Sequence, residues 1–177
     1  MYLGLGAAFQ AGLYFRLKWQ GALASVCIFI TVLYLIALRA SLGLEVILWL
    51  ISIVVLTDVL GYFAGRVIRG PKFWPSVSPK KTWSGILAGW LGSGICGWLW
   101  VSYGSLPLSE GGAIFFSGAL AFASQIGDIG ESALKRRADQ KDSSNLLPGH
   151  GGFLDRFDGL VGATIVFAGA NMLMSLG

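Results

Sequence analysis

Apolar residues run through this chain in long blocks broken by short polar stretches, with no strict alternation of the kind a half-buried strand would give. Six blocks are candidate membrane spans: Leu3 to Phe15, Gly21 to Leu38, Leu44 to about Ala64, about Ser84 to Val101, about Ala113 to Gly127, and Leu160 to Leu176. About 20 apolar residues carry a helix across a bilayer. The first and fifth blocks fall short of that, so less tilt, partial burial or different bounds is expected there. The pattern predicts an all-α polytopic membrane protein of about six transmembrane helices. It forms one domain over residues 1–177, with two large cytoplasmic loops at 65–83 and 128–159.

Charge fixes an orientation on that pattern. Arg16 and Lys18 follow the first block, Arg66, Arg69, Lys72, Lys80 and Lys81 the third, and Lys135, Arg136, Arg137, Lys141 and Arg156 the fifth. Twelve of the 13 basic residues therefore lie on one side of six alternating spans, and Arg39 alone lies opposite. Positively charged loops stay in the cytoplasm, which puts both termini outside. The expected location is the inner membrane, multi-pass, with the active site facing the cytoplasm.

Composition agrees. The 177 residues are 55% hydrophobic and only 12% charged, and mean hydropathy is +0.70. A soluble core of this size could not hide so much apolar sequence. The net charge of +4 reads as topology-setting loops at anionic headgroups, and no nucleic-acid partner is expected. Gly85, Gly89, Ser93 and Gly97 repeat every four residues and predict a small-residue face for close helix packing, as do Gly4, Ala8 and Gly12. Trp74, Trp83, Trp98 and Trp100 lie near span ends, as interfacial aromatics do. Cys27 and Cys96 sit in apolar runs without a CxxC partner, so neither a disulfide nor a metal site is expected there. The start, MYLGLGAAFQAGLYF, lacks the basic residues that precede the apolar part of a signal peptide.

Chemistry concentrates where the charges are. Asp58 lies inside the third span, where an acid is costly and faces either a polar cavity or a basic partner. The loop GRVIRGPKFWPSVSPKKTWSG carries five positive charges and no acid. Within it Ser78-Pro79 reads as the start of a helix. Free N–H groups there, with Lys80, Lys81 and Thr82, would form a phosphate site. Asp128 and Glu131 are three apart, on one face if the fifth helix continues, and Glu131 and Lys135 are spaced as a helical ion pair. Asp155, Arg156 and Asp158 open the last span behind the tight turn Pro148-Gly149-His150-Gly151-Gly152. Carboxylates with one histidine and no cysteine favour Mg²⁺ over zinc. Acids beside lysines and arginines at a membrane face point to phosphoryl or nucleotidyl transfer on a lipid.

Three stretches carry a more specific signal. Ser132-Ala133-Leu134-Lys135-Arg136, then Lys141-Asp142, then Leu147 through Asp158 form one long motif; Asp58 to Arg66 reads DVLGYFAGR; and Ser78 to Gly85 reads SPKKTWSG. SQIGDIGES, at 124–132, completes the set. Together they resemble the phosphatidate cytidylyltransferase (CDP-diacylglycerol synthase) family. The resemblance covers Asp58 to the C-terminus directly and the earlier spans more loosely. Many members have a small residue at the position of Leu60. Members are longer, with additional N-terminal membrane helices, so this chain is expected to be a short form, a fragment, or one with a misplaced start.

The resemblance implies a reaction in which CTP and phosphatidic acid give CDP-diacylglycerol and pyrophosphate, for phospholipid biosynthesis. It implies Asp128 and Asp155 as metal carboxylates, with Asp158 as a further ligand or an anchor for Arg156. Lys80, Lys81, Lys135 and Arg136 would hold phosphates, and Ser78 and Thr82 would donate to phosphate oxygens. Asp142, His150 and Arg156 would line the site, with Asp58 and Tyr62 lining the polar cavity beneath the loops. Mg²⁺ is the expected cofactor, a second cation and a homodimer are compatible with it, and membrane lipid is the surrounding partner. The rivals are a CTP-dependent polyprenol or dolichol kinase, a transporter with Asp58 and Asp128 on an ion path, and an inactive fragment that binds partners.

Overall fold

The computed structural model describes residues 18–104, 106–137 and 157–176. The first predicted span, Leu3 to Phe15, lies outside them. Five helices and one hairpin follow in order: α1 (Lys18–Leu42), α2 (Leu44–Val67), β1 (Lys72–Trp74), β2 (Ser78–Thr82), α3 (Trp83–Tyr103), α4 (Glu110–Arg137) and α5 (Asp158–Leu176). By length and composition α2, α3 and α4 can each cross a membrane; the apolar parts of α1 and α5 are shorter. The 24 residues of α2 reach about 36 Å at 1.5 Å per residue, more than the hydrocarbon core of about 30 Å. Helices that are apolar nearly all round, with many large side chains exposed (Leu91, Ile95, Phe115, Leu173), belong in lipid. The fold is that of an integral membrane protein.

Neighbouring helices pack in chain order, α2 on α3, α3 on α4 and α4 on α5, while α1 touches α2 and α5. Between α1 and α2 the chain reverses through Gly43 alone, at φ 87°, a left-handed value that glycine adopts without a Cβ penalty. The reversal places Arg39 at the opposite end of the bundle from Arg66, as the charge pattern predicts.

A core of Trp49, Leu50, Ile53, Leu120, Ala163 and Phe167 joins α2, α4 and α5. Several polar side chains in and around it are paired, since nothing in lipid could otherwise satisfy them, while the buried hydroxyls of Ser124 and Thr164 have no hydrogen-bond partner among the described residues. Trp49 Nε1 donates to Ser117 Oγ (3.1 Å), Thr57 Oγ1 and Ser93 Oγ share a hydrogen bond (2.8 Å), and Trp100 Nε1 donates to Ser52 Oγ (3.0 Å). Trp100 thus fastens α3 to α2, whereas Trp74 and Trp83 stay exposed as an interfacial belt requires.

The predicted small-residue face is present. Gly85, Gly89, Ser93 and Gly97 are all buried on α3. A Cβ on Gly85 would meet the Gly61 carbonyl, one on Gly89 would meet Gln125 and Thr57, and one on Gly97 would meet Ser117 and Ala113. Leu60 lies against Gly92, which has no Cβ to obstruct it.

Two expectations are corrected. The fifth span is not short: α4 has 28 residues. Its start is capped by Ser109, whose Oγ accepts from Gly112 N (3.1 Å). Its last turns carry Asp128, Lys135 and Arg136 as helix, not as the predicted loop. Nor is the fold wholly α, because Ser78–Thr82 is a strand. It pairs antiparallel with β1, Lys72 opposite Thr82 and Trp74 opposite Ser78. Pro79 is tolerated because an edge strand leaves N–H groups unpaired. The helix begins only at Trp83, with Thr82 as its N-cap accepting from Gly85 N (3.3 Å).

Replacing Gly97 with Leu should lower stability by about 1–3 kcal/mol, the usual cost of overpacking, seen as an earlier thermal unfolding transition in detergent. Gly111, with nothing within 4 Å of an added Cβ, should accept Ala without loss.

Candidate active site

The hairpin positions the site. After α2 the chain turns through Arg69 (φ 59°) and Gly70 (φ 118°). Ser84 Oγ donates to the Arg69 carbonyl, and Trp83 N donates to Pro71 O (3.1 Å). Phe73 and Trp83 meet edge to face, with ring centroids 4.8 Å apart. So anchored, the strand directs Lys81 back toward the bundle. Lys81 Nζ donates to Asp128 Oδ2 at 2.7 Å and to the Gln125 carbonyl at 3.4 Å.

Beneath the hairpin lies a polar cavity of about 590 Å³ between α2, β2, α3 and α4. Asp58, Tyr62, Lys80, Lys81, Thr82 and Asp128 all line it, which joins residues up to 70 positions apart in the sequence. Arg66 and Lys72 add two more cations, and Arg66 Nη1 donates to Tyr62 OH (2.6 Å). Asp58 lies within electrostatic reach of both Asp128 and Lys81. It therefore faces the cavity, as the cost of an acid at this depth requires. Its backbone surroundings are narrow: Gly61, Gly65 and Gly85 line the same cavity, and a Cβ on Gly65 would collide with Thr82 Oγ1 at 2.8 Å. Glycine at these positions keeps the cavity open between closely packed helices.

Asp128 also belongs to a second group. Glu131 is one turn further along α4, and Asp158 begins α5. Close packing of Gly127 against Gly162 brings these helix segments together. Asp158 lies within electrostatic reach of Glu131 and Asp128; burial first, then those carboxyl neighbours, push its own carboxyl well above the ordinary range. Asp158 Oδ1 also accepts from Gly159 N (2.7 Å), and an acid at a helix N-terminus is favourably placed in the helix dipole. Lys135 Nζ lies 3.4 Å from Glu131 Oε1, completing the predicted helical pair.

Four candidates sit apart from the cavity lining: Lys135 and Asp158, described above, and Ser78 and Arg136. Ser78 is half-buried on β2 and Arg136 is exposed in the last turn of α4. Asp142, His150, Asp155 and Arg156 lie outside the described residues. Thr82 lines the cavity while its hydroxyl serves as helix cap. Two site residues were not singled out from the sequence. Gln125 is buried, accepts from Trp90 Nε1 (2.9 Å) and meets Lys81 through its carbonyl. Glu131 was assigned only to its pair with Lys135, although its shared face with Asp128 was the signal for more.

The donor set suits a hard cation. Among the described residues no three acid, histidine or cysteine side chains converge as a ready metal cage. Mg²⁺ needs none, because it binds through one or two carboxylates and completes its shell with water and substrate phosphates. Asp128, Glu131 and Asp158 supply only oxygen, beside lysines that would meet those phosphates.

The sequence profile of the cytidylyltransferase family matches residues 10–174. A phosphatidate cytidylyltransferase of Brucella abortus (strain 2308) is 46% identical over 123 residues, 68% of this chain and 44% of the relative. Enzymes of the same name from Bacillus subtilis (strain 168) and Haemophilus influenzae are 39% identical over 116 residues and 36% over 130. They are covered over 43% and 45% of their lengths, so the chain spans less than half of each of these three relatives. These matches favour neither the alcohol-kinase nor the transporter alternative.

Lys81→Met should change folding stability by less than about 1 kcal/mol, because the pair is partly solvated. A larger loss in chemical denaturation would make the pair a structural bond and not a poised charge.

Proposed function

Since the chain belongs to the cytidylyltransferase family, we propose that it carries the catalytic part of a phosphatidate cytidylyltransferase, joining CTP and phosphatidic acid into CDP-diacylglycerol and pyrophosphate. The observation that carries this reading is the convergence of Lys80, Lys81 and Asp128 on one polar cavity beside the Asp128–Glu131–Asp158 carboxyl group. In the reaction a phosphate oxygen of phosphatidate attacks the α-phosphorus of CTP. A new P–O bond forms, the bond to the β-phosphate breaks, and pyrophosphate leaves with the electron pair. The nucleophile is already anionic, so no strong base is required. Alignment and charge neutralisation supply the rate.

Within this reading Lys80, Lys81, Lys72 and Arg66 hold the triphosphate in the cavity. Ser78 and Thr82 add hydroxyls at its rim. Lys135 and Arg136 meet the lipid phosphate at the end of α4. Asp128, Asp155 and Asp158 would hold Mg²⁺, which when bound would neutralise charge on the phosphates. Lys81 keeps Asp128 oriented across the cavity and can exchange that partner for a phosphate oxygen. Asp142, His150 and Arg156 belong to the segment that completes the site, with Asp58 and Tyr62 on its floor. Arg66, Lys72, Lys80 and Lys81 gather at the Asp128 end of the bundle and Arg39 lies at the other, which supports placing the Asp128 end at the cytoplasmic face of the inner membrane.

Membranes bearing the chain should form CDP-diacylglycerol from CTP and phosphatidate, and EDTA should stop it. Asp128→Asn and Asp155→Asn should each lower turnover by at least about 100-fold, the scale of losing transition-state charge stabilisation. Near-normal turnover in either variant would overturn its metal role. Lys81→Ala should raise the KM for CTP; unchanged kinetics for both substrates would remove it from phosphate binding.

A further inference from the structure

A second cavity, of about 450 Å³, lies on another side of α4 from the polar one, between α1, α4 and α5. Gln125 and Asp128 face the polar cavity; Ile126, Gly127, Gly130 and Glu131 face this one. The second cavity is a groove with an apolar body. Phe122, Ile126, Ile165 and Val166 form its walls and remain exposed to the surroundings. Polarity is confined to Glu131 and Asp158, with Lys135 paired to Glu131.

We propose that this groove holds an acyl chain of the lipid substrate, with the lipid phosphate at the Glu131–Lys135–Asp158 end. The proposal rests on the cytidylyl-transfer reading and adds to it where the lipid lies. Three observations carry it. The groove has one charged end and one apolar body, the shape of an amphiphile. Its α4 wall runs from Ala119 to Leu134, about 22 Å at 1.5 Å per residue. The part short of Glu131, from Ala119 to Gly130, is about 16 Å, close to one leaflet of hydrocarbon, about 15 Å or half the core thickness. Finally, Asp158 at the end of the groove lies within electrostatic reach of Asp128 of the polar cavity. A lipid phosphate at that end therefore adjoins the cavity assigned to CTP, while its acyl chain lies on the other side of α4. The acids would repel an anionic headgroup, and Lys135 with the adjacent Arg136 supplies the opposing charge.

Gly130 allows a direct test. It lines the groove, yet an added Cβ there meets nothing within 4 Å, so a large side chain would fill the groove before it strained the protein. Ile165 offers the same test from α5. The full chain in phosphatidylcholine vesicles is irradiated with a phosphatidate probe carrying a mid-chain diazirine, and adducts are mapped by mass spectrometry. Adducts should fall within residues 119–134 and 157–166, compete with unlabelled phosphatidate but not with phosphatidylcholine, and diminish in Gly130→Phe and Ile165→Trp. Both variants should raise the KM for dioleoyl phosphatidate about tenfold, the scale of a hydrophobic-pocket mismatch, and leave the KM for CTP and for dihexanoyl phosphatidate unchanged. Even labelling of Leu91 and Ile95 on α3, or equal competition by phosphatidylcholine, would reduce the groove to general lipid contact and overturn the proposal. So would exclusion of the probe by another part of the chain or a second copy, read as peptide cross-links into the groove. Labelling as expected without any CDP-lipid product would sink the reaction and leave the lipid site standing.

Discussion

The ion pair between Lys81 and Asp128, at 2.7 Å, is the contact on which the site depends. It ties a short hairpin to a helix 47 residues away in sequence and closes the polar cavity above α2 and α3. An acid and a lysine both about three-quarters covered contribute modestly to stability, because desolvation offsets most of their attraction. Their value is positional. Each holds the other at a surface where a phosphate and a cation could replace the missing partner without a large rearrangement.

Everything beneath that pair serves close approach of backbones. Lipid gives helices no hydrophobic drive toward one another, so contact comes from van der Waals packing and interhelical hydrogen bonds. The glycines of α3 let α2 and α4 approach from two sides, and Gly127 against Gly162 brings α5 onto α4. That last crossing carries Asp158 to Asp128 and Glu131. A Cβ at either glycine would meet the backbone of the facing helix and push α5 away from α4. Packing and chemistry are therefore linked at one point, the end of α4.

Much of this was legible in the residues. Hydropathy blocks located α2, α3 and α5 closely, and the four-residue spacing of Gly85, Gly89, Ser93 and Gly97 identified a true contact face. Cost at membrane depth singled out Asp58, and spacing with Glu131 at the end of a span singled out Asp128, before any contact was known. The hairpin was not legible, because Ser78-Pro79 fits a helix start and an edge strand equally well; pairing with Lys72–Trp74, a tertiary matter, decides between them. The length of α4 was missed for a related reason. Hydropathy falls at Gly127, but the helix continues through its charged turns because Glu131 and Lys135 support each other and Asp158 packs alongside. Gln125 is legible only as part of SQIGDIGES, since a lone glutamine in an apolar run says nothing of the tryptophan its side chain will meet, and Lys81 reaches only its backbone carbonyl.

The central claim concerns which phosphorus of CTP is attacked and what receives it. Membranes carrying the chain can be given phosphatidate and CTP labelled at either the α- or the γ-phosphorus, and the extracted lipid counted. The account predicts α-label in a CDP-linked lipid, with γ-label released as pyrophosphate. Label from the γ-position in the lipid, with CDP left in solution, would contradict it.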